Sequence, residues 1–506
     1  MTFSARCRTL AAVSCLALGA LPASSAAVST GFDRAAILAL ARELPSGGEL
    51  LIEAVPWALD GVSRSQRLRL ERFEVFAPDA RIVLHTAAGD RGLAVPANVY
   101  LRGQVEGEAG SRVVLSVLAT GEIRGLATSL GRTWLLGSEG SDAQLRVRAV
   151  DMTAELEQAG GGFRCALDDA GPAAYRAGMD GVEDLFAPRA ESPAAQRPLA
   201  ELAGEVAAFD HTAVIAVETD NEFLNLSEFA GDTTAATNYI GDLVAHSSTI
   251  YAAELQTSWV VGEVSLWETA DPWTQANASC GLLEFGRYWN LNHGGTTRTV
   301  AHFLSGKPLG SGIAWVGVLC RGGFSANPAD FGGCSAPVNV SGNWGGAYGF
   351  TGGIVGNFDI NSPSVVWDIM AFAHEIGHNF NSPHTHCYQN LGGNAAAVDQ
   401  CWGTQVGTGC YSGTTSLPAG CPGSFQGCGT IMSYCHLRAP QSMSNLSLTL
   451  GLGHPYGVAP ERVPSRMRSH VVSVAATNPS CLAPIGIVFI DGFASGNMGA
   501  WSATVP

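Results

Sequence analysis

The chain has 506 residues with 28 basic and 44 acidic side chains, a net charge of −16. That length allows more than one domain, and the acidic balance argues against nucleic acid or an anionic membrane as a partner. Thirteen cysteines point to an oxidising compartment rather than the cytosol.

At the N-terminus Arg6 and Arg8 precede an apolar run over 10–21, and Ala23-Ser24-Ser25-Ala26 follows. Charge, short apolar core and small residues predict a secretory signal peptide over 1–26. The run is too short to span a bilayer, no later run is long enough, and an exported, soluble protein is expected. From 27 to about 155 the chain is rich in short β-type stretches, among them 81–85, 112–117 and 133–136, with glycine-containing turns between them. Cys165 then stands alone in Phe163-Arg164-Cys165-Ala166-Leu167-Asp168-Asp169. Residues 171–200 are rich in Ala, Pro and Gly and predict an exposed linker, with Arg189 and Arg197 as candidate processing positions.

A second domain is expected over 205–485. Its first strand is predicted at 212–218, a helix at 232–255 from the spacing of Tyr239, Leu243, Ile250 and Leu255, and further strands at 258–266 and 312–319. The Gly-rich segment 341–357 would shape a cleft wall or form a long loop. Ser362 as N-cap and Pro363 as first helical residue predict a mostly buried helix over 363–380, with Val366, Ile369, Met370 and Ala373 at helical spacing. Beyond it, a third, closing helix is predicted at 461–474, and 486–506 forms a short tail.

The helix at 363–380 carries the chemistry. Its end runs His374-Glu375-Ile376-Gly377-His378-Asn379-Phe380-Asn381-Ser382-Pro383-His384. Histidines at i and i+4 share a helix face one turn apart, so both rings can reach one metal ion. Glu375 lies beside them, placed to take a proton from water at that metal. A third histidine joins only if the helix ends and the chain turns back. Asn381 tolerates the left-handed conformation of such a turn, and Pro383 keeps the helix from resuming. His384, or His386 two residues on in an extended segment, would then face the metal. Downstream lies Gly429-Thr430-Ile431-Met432-Ser433-Tyr434-Cys435; by residue type alone, Met432 is core packing.

The cysteines divide unevenly. Cys7 and Cys15 fall in the expected signal peptide, Cys165 stands apart, and ten cluster around and after the histidine motif. Ten in an exported chain imply up to five disulfides whose pairing spacing does not decide; Cys421 and Cys428 look like a loop staple. Cys165 is the odd thiol.

The histidine motif followed by a methionine turn resembles the metzincin clan of zinc endopeptidases. Residues 100–108, 111–116 and 123–126 resemble the propeptide of its ADAM and reprolysin branch. The resemblance implies an α+β fold: a mixed, mostly parallel twisted sheet with long helices above the cleft and an irregular, disulfide-rich lower subdomain, preceded by a β-rich pro-domain over 27–204. It implies one zinc ion held by His374, His378 and His384, the clan spacing selecting His384 and leaving His386 solvent-facing or beside the ligands. Glu375 becomes the general base, Met432 a hydrophobic base beneath the histidines, and Tyr434 an extra ligand or oxyanion stabiliser. The segment around Cys165 resembles a cysteine switch, in which a thiolate, a strong zinc ligand, occupies the fourth position until the pro-segment is cut; the glycine and proline of the matrix-metalloproteinase form are absent. The strand at 312–319 would be a sheet edge that holds an extended peptide as an added strand. Two positions depart from the pattern: Asn381 replaces the usual glycine, and Thr385 stands where the ADAM branch has aspartate.

The expectation is a secreted, monomeric zinc endopeptidase made as a latent proenzyme, acting on extended proteins or peptides, with no nucleic acid and no membrane insertion. The alternative is a secreted binding or adhesion protein on an inactive scaffold, which the intact Glu375 and three histidines disfavour. A zinc peptidase with an acidic third ligand is disfavoured by the turn at Asn381 and by the methionine turn. Calcium is open: Glu218 and Asp220 are available, without a recognisable ligand loop.

Overall fold

The computed structural model describes residues 27–59, 62–129, 132–138, 144–150, 164–166, 210–360 and 364–482. The expected signal peptide, the linker with Arg189 and Arg197, the helix-start residues Ser362 and Pro363, and the tail at 486–506 lie outside them.

Two large sheets organise these residues. The first is built from β1 (Val28–Gly31), β2 (Glu49–Leu59), β3 (Val62–Phe73), β6 (Val99–Val105), β7 (Arg112–Val117), β8 (Ile123–Ser129), β9 (Arg132–Gly137) and β10 (Arg146–Ala149), in that spatial order. Its strands pair antiparallel except β1 with β2. Helix α1 (Arg34–Glu43), capped by the Asp33 carboxylate, packs Ile37 and Ala41 into its core. Period-two alternation sends successive side chains to opposite faces. Leu101, Val113, Leu115, Ala127 and Trp134 fill this sheet's own core, while Tyr100, Val114, Leu126 and Leu135 point the other way, into the core of the second sheet. Both faces are covered, which is why 112–117 is continuously apolar apart from Arg112 and Ser116.

The second sheet has the order β14 (Gly312–Ala314), β17 (Tyr348–Gly352), β13 (Val300–Ser305), β11 (His211–Thr219), β12 (Thr257–Trp267), β4 (Phe76–Thr86), β5 (Gly89–Leu93). The pairs from β17 to β4 are parallel and the two outermost pairs antiparallel. A small ribbon joins β15 (Phe324–Ala326) to β16 (Gly342–Gly345). Short α2 (Asn221–Leu224) follows β11. Helix α3 (Thr233–Leu255), capped by Asp232, links β11 to β12, and α4 (Ala278–Asn292), capped by Asn277, links β12 to β13. Helix α5 (Val365–Asn379) carries the histidine motif, and α6 (Arg462–Thr477) follows the loop-rich segment.

The mixed α+β layout agrees with the expected class, with two differences. The 27–204 stretch does more than precede the second sheet: its β4–β5 hairpin forms one edge of it. The edge strand expected over 312–319 stops at Ala314. Gly317 and Cys320 take left-handed φ of 67° and 59°, which ends the extended run. The Gly317 and Val318 N–H groups donate instead to the carbonyls of His378 and Asn379, satisfying the C-terminus of α5. The Gly-rich segment 341–357 supplies β16 and β17, the latter an interior strand, and 271–305 contains a helix and a strand not anticipated from the sequence.

Candidate metal centre

Helix α5 is pinned along its length before its histidines are placed. Near its start, Asp368 accepts from Tyr239 Oη at 2.8 Å and from the Val355 and Gly356 N–H groups at 3.1 and 2.9 Å; burial pushes its carboxyl up to about 7. Tyr251 Oη donates to the Ala373 carbonyl at 2.8 Å. At the far end Asn379 Nδ2 donates to the Trp315 and Tyr348 carbonyls, both at 2.9 Å. Asn381 then adopts φ +77°, the left-handed turn its residue type permits, and Arg466 on α6 donates to its backbone and side-chain oxygens at 2.7 and 3.0 Å.

The turn brings the three histidines together. Ring centroids lie 4.9 Å apart for His374 and His378, 4.7 Å for His378 and His384, and 5.2 Å for His374 and His384. Each Nδ1 is engaged. His374 Nδ1 donates to the Ile431 carbonyl at 2.7 Å, His378 Nδ1 to the Ser382 carbonyl at 2.7 Å, and His384 Nδ1 to Gln405 Oε1 at 2.9 Å. A proton held on Nδ1 leaves the Nε2 lone pair for a metal. Burial lowers all three rings, His378 to about 4 and the other two well below their ordinary value, so they are neutral Lewis bases at neutral pH, as metal ligation requires.

Cys165 joins them. Its Sγ lies 3.6 Å from His378 Nε2 and 3.5 Å from Glu375 Oε2. One donor atom from each of Cys165, His374, His378 and His384 falls within 4.8 Å of every other. Three imidazole nitrogens and a sulfur are a donor set suited to zinc, whose tetrahedral ligands stand about 3–4 Å apart at usual bond lengths. The other ten cysteines among the described residues form five disulfides, Cys280–Cys334, Cys320–Cys481, Cys387–Cys410, Cys401–Cys435 and Cys421–Cys428, the last being the expected loop staple. Cys165 stays a thiol.

Met432 is fully buried, and a Cβ at Gly377 would meet its Sδ at 2.4 Å, so the glycine between the two helical histidines lets the methionine approach. The Met432 carbonyl accepts from the Thr385 N–H at 3.0 Å and hydroxyl at 3.2 Å, a tie that uses threonine where an aspartate was the expected type. Tyr434 packs on His384 with centroids 4.6 Å apart and donates through Oη to the Cys165 carbonyl at 3.1 Å. His386 is not solvent-facing: it is fully buried, stacks on His384 at 5.2 Å and donates from Nε2 to Gln405 Oε1 at 2.6 Å.

Two contributors went unseen in the sequence. Gln405 accepts from two histidines and lies in the loop that the Cys387–Cys410 disulfide closes. Gly312, at the sheet edge, lies so close that a Cβ would meet Glu375 Cγ and Oε1 at 2.6 Å. The carboxylates considered for calcium are occupied by protein donors. Glu218 accepts from the Trp267 and Trp289 indoles at 2.8 and 2.9 Å, and Asp220 caps α2 and accepts from Ser305 and the Gly306 N–H.

Residues 210–447 match metallo-peptidase family M12. No curated protein matches the chain. Among solved structures, the crystal structure of metalloproteinase-II from Bacteroides fragilis aligns at 12% identity over 77% of this chain and 96% of that one, with a TM-score of 0.28, an overlap too loose to argue from.

Proposed function

We propose that the chain, whose residues 210–447 match metallo-peptidase family M12, is a reprolysin-like metzincin, a secreted zinc endopeptidase held latent by its own thiol. The observation that carries this reading is the convergence of three histidine nitrogens and the Cys165 sulfur within 4.8 Å of one another. His374, His378 and His384 would hold the ion, and Cys165 would fill the remaining position in the latent chain. Bound zinc supplies Lewis acidity, polarising the scissile carbonyl and bringing the pKa of water near neutrality.

The chain's own residues do the rest. Glu375 accepts the proton of the attacking water and delivers it to the departing amine. The Tyr434 hydroxyl, engaged by the Cys165 backbone in the latent chain, is free to donate to the developing oxyanion once that segment leaves. Gly312 to Ala314, beside Glu375, offers main-chain groups to an extended substrate, which would bind with little demand on side-chain identity. Five disulfides, and no helix among the described residues long and apolar enough to cross a membrane, agree with an extracellular setting.

Purified, processed protein should digest casein and lose that activity to a chelator. Glu375→Ala should lower turnover by about 10²–10⁴-fold, the usual range for a removed acid–base group, with zinc content by elemental analysis unchanged; unimpaired turnover in that variant would end the assignment. Full-length Cys165→Ala should digest casein without being cut, and a silent, zinc-replete variant would remove the thiol from the account.

A further inference from the structure

The N-terminal sheet is interrupted in an unexpected place. Strands β3 and β6 are neighbours in it, yet the chain between them leaves to form β4 and β5 at the edge of the other sheet. Strand β4 runs parallel to β12, pairing Phe76 with Val261 and, past an irregularity, Arg81 to His85 with Glu263 to Trp267. Ile82 and Leu84 are buried in one core with Val261, Val264 and Leu266. Without β4, the ladder side of β12 would be a long apolar edge, the kind that drives aggregation.

Charge and shape match across the same boundary. Arg112 Nη2 meets Glu254 Oε1 at 2.5 Å and Arg124 Nη1 meets Asp242 Oδ2 at 3.2 Å, with both carboxylates fully buried on α3. Arg81 pairs with Glu263 on β12. In the middle of α3 sits Gly241, a residue that weakens helices. A Cβ there would lie 2.2 Å from Tyr100 Oη, so the glycine makes room for the N-terminal sheet.

We infer that residues 28–149 are a resident subunit of the enzyme, built into its sheet through the β4–β5 hairpin, and that the thiol segment is therefore tethered at both ends to bodies that stay together. The second half of this rests on the latent-protease reading above. A cut between Cys165 and β11 leaves the thiol attached to a docked domain by roughly 15 residues, a tether that keeps its local concentration near millimolar. A cut between β10 and Cys165 leaves it attached to the other body. Latency ends only when both connections are broken and the short piece carrying Cys165 diffuses away, while 28–149 remains.

The test is to place different site-specific protease sequences in 151–163 and in 171–200 of the full chain, and to follow gel filtration and casein digestion after each cut. Either single cut is expected to give one co-eluting two-chain species with no activity. Both cuts should raise activity by about 10²-fold or more, the gain expected from losing the tether, with 28–149 still co-eluting with the larger fragment. Separation into two peaks after the 171–200 cut would overturn the resident-subunit inference, and full activity after that cut alone would overturn the double tether. A Cys165→Ala chain cut only in 171–200 provides a check without the second insertion: it should be an active two-chain complex. If it co-elutes but never digests casein, the failure lies with the protease reading and the shared sheet stands.

Discussion

Glu375 is held by what position 312 lacks. A methyl group there would overlap the side chain's Cγ and Oε1 at 2.6 Å, so Gly312→Ala should push the proposed base aside without touching any histidine. Displacement of a reacting group by about 1 Å costs on the order of 10² in rate. Turnover should fall by that factor while elemental zinc stays at the wild-type level; a variant with normal kcat would show that Glu375 has room to shift. The residues that converge here were unequally visible beforehand. The helical pair announces itself because i and i+4 is a local geometric relation, and the turn at Asn381 is local as well. Gln405 and Gly312 are set by tertiary contacts, one through a disulfide-closed loop and the other through a sheet edge, and nothing in their neighbourhoods marks them.

Among the elements, α3 lies between the two bodies and carries His246, fully buried and stacked on Phe358 at 5.9 Å. Burial lowers that ring to about 3. Above pH ~6.5, the ordinary histidine value, both folded and unfolded forms are neutral and the full stability is present. As pH falls from there toward 3, only the unfolded chain takes up the proton, so stability is lost. At pH 5 the loss from this one group is on the order of 2 kcal/mol. The drop in thermal midpoint between pH 7.5 and pH 5 should accordingly be smaller in His246→Leu than in the wild type, and equal drops would mean the ring is solvated in the folded protein. Helices and strands with strong periodicity, such as α3, β7 and β11, were readable from spacing alone. Residues 315–319 were not, because an apolar run looks extended until Gly317 and Cys320 turn left-handed to meet the end of α5. Helix α4 lies outside the elements expected from sequence although Asn277 supplies a cap and Leu282, Leu283, Phe285 and Trp289 a buried helical face.

For the molecule as a whole, residues 205–485 produced alone should emerge largely insoluble, since β12 would present an open edge. Co-production with 28–149 as a separate chain should restore soluble protein; abundant soluble material without that partner would show that the edge needs no cover. This arrangement is not legible in the sequence, because parallel pairing between distant strands leaves no local periodicity to detect. The same hairpin governs the order of assembly. Strand β4 is synthesised roughly 180 residues ahead of β12, and contacts at such separation form slowly because a long loop must close first. The first sheet, made of antiparallel neighbours, can fold early. Its protruding hairpin then offers a ready template on which the later half of the chain nucleates, so substitutions in β4 should slow refolding more than they speed unfolding.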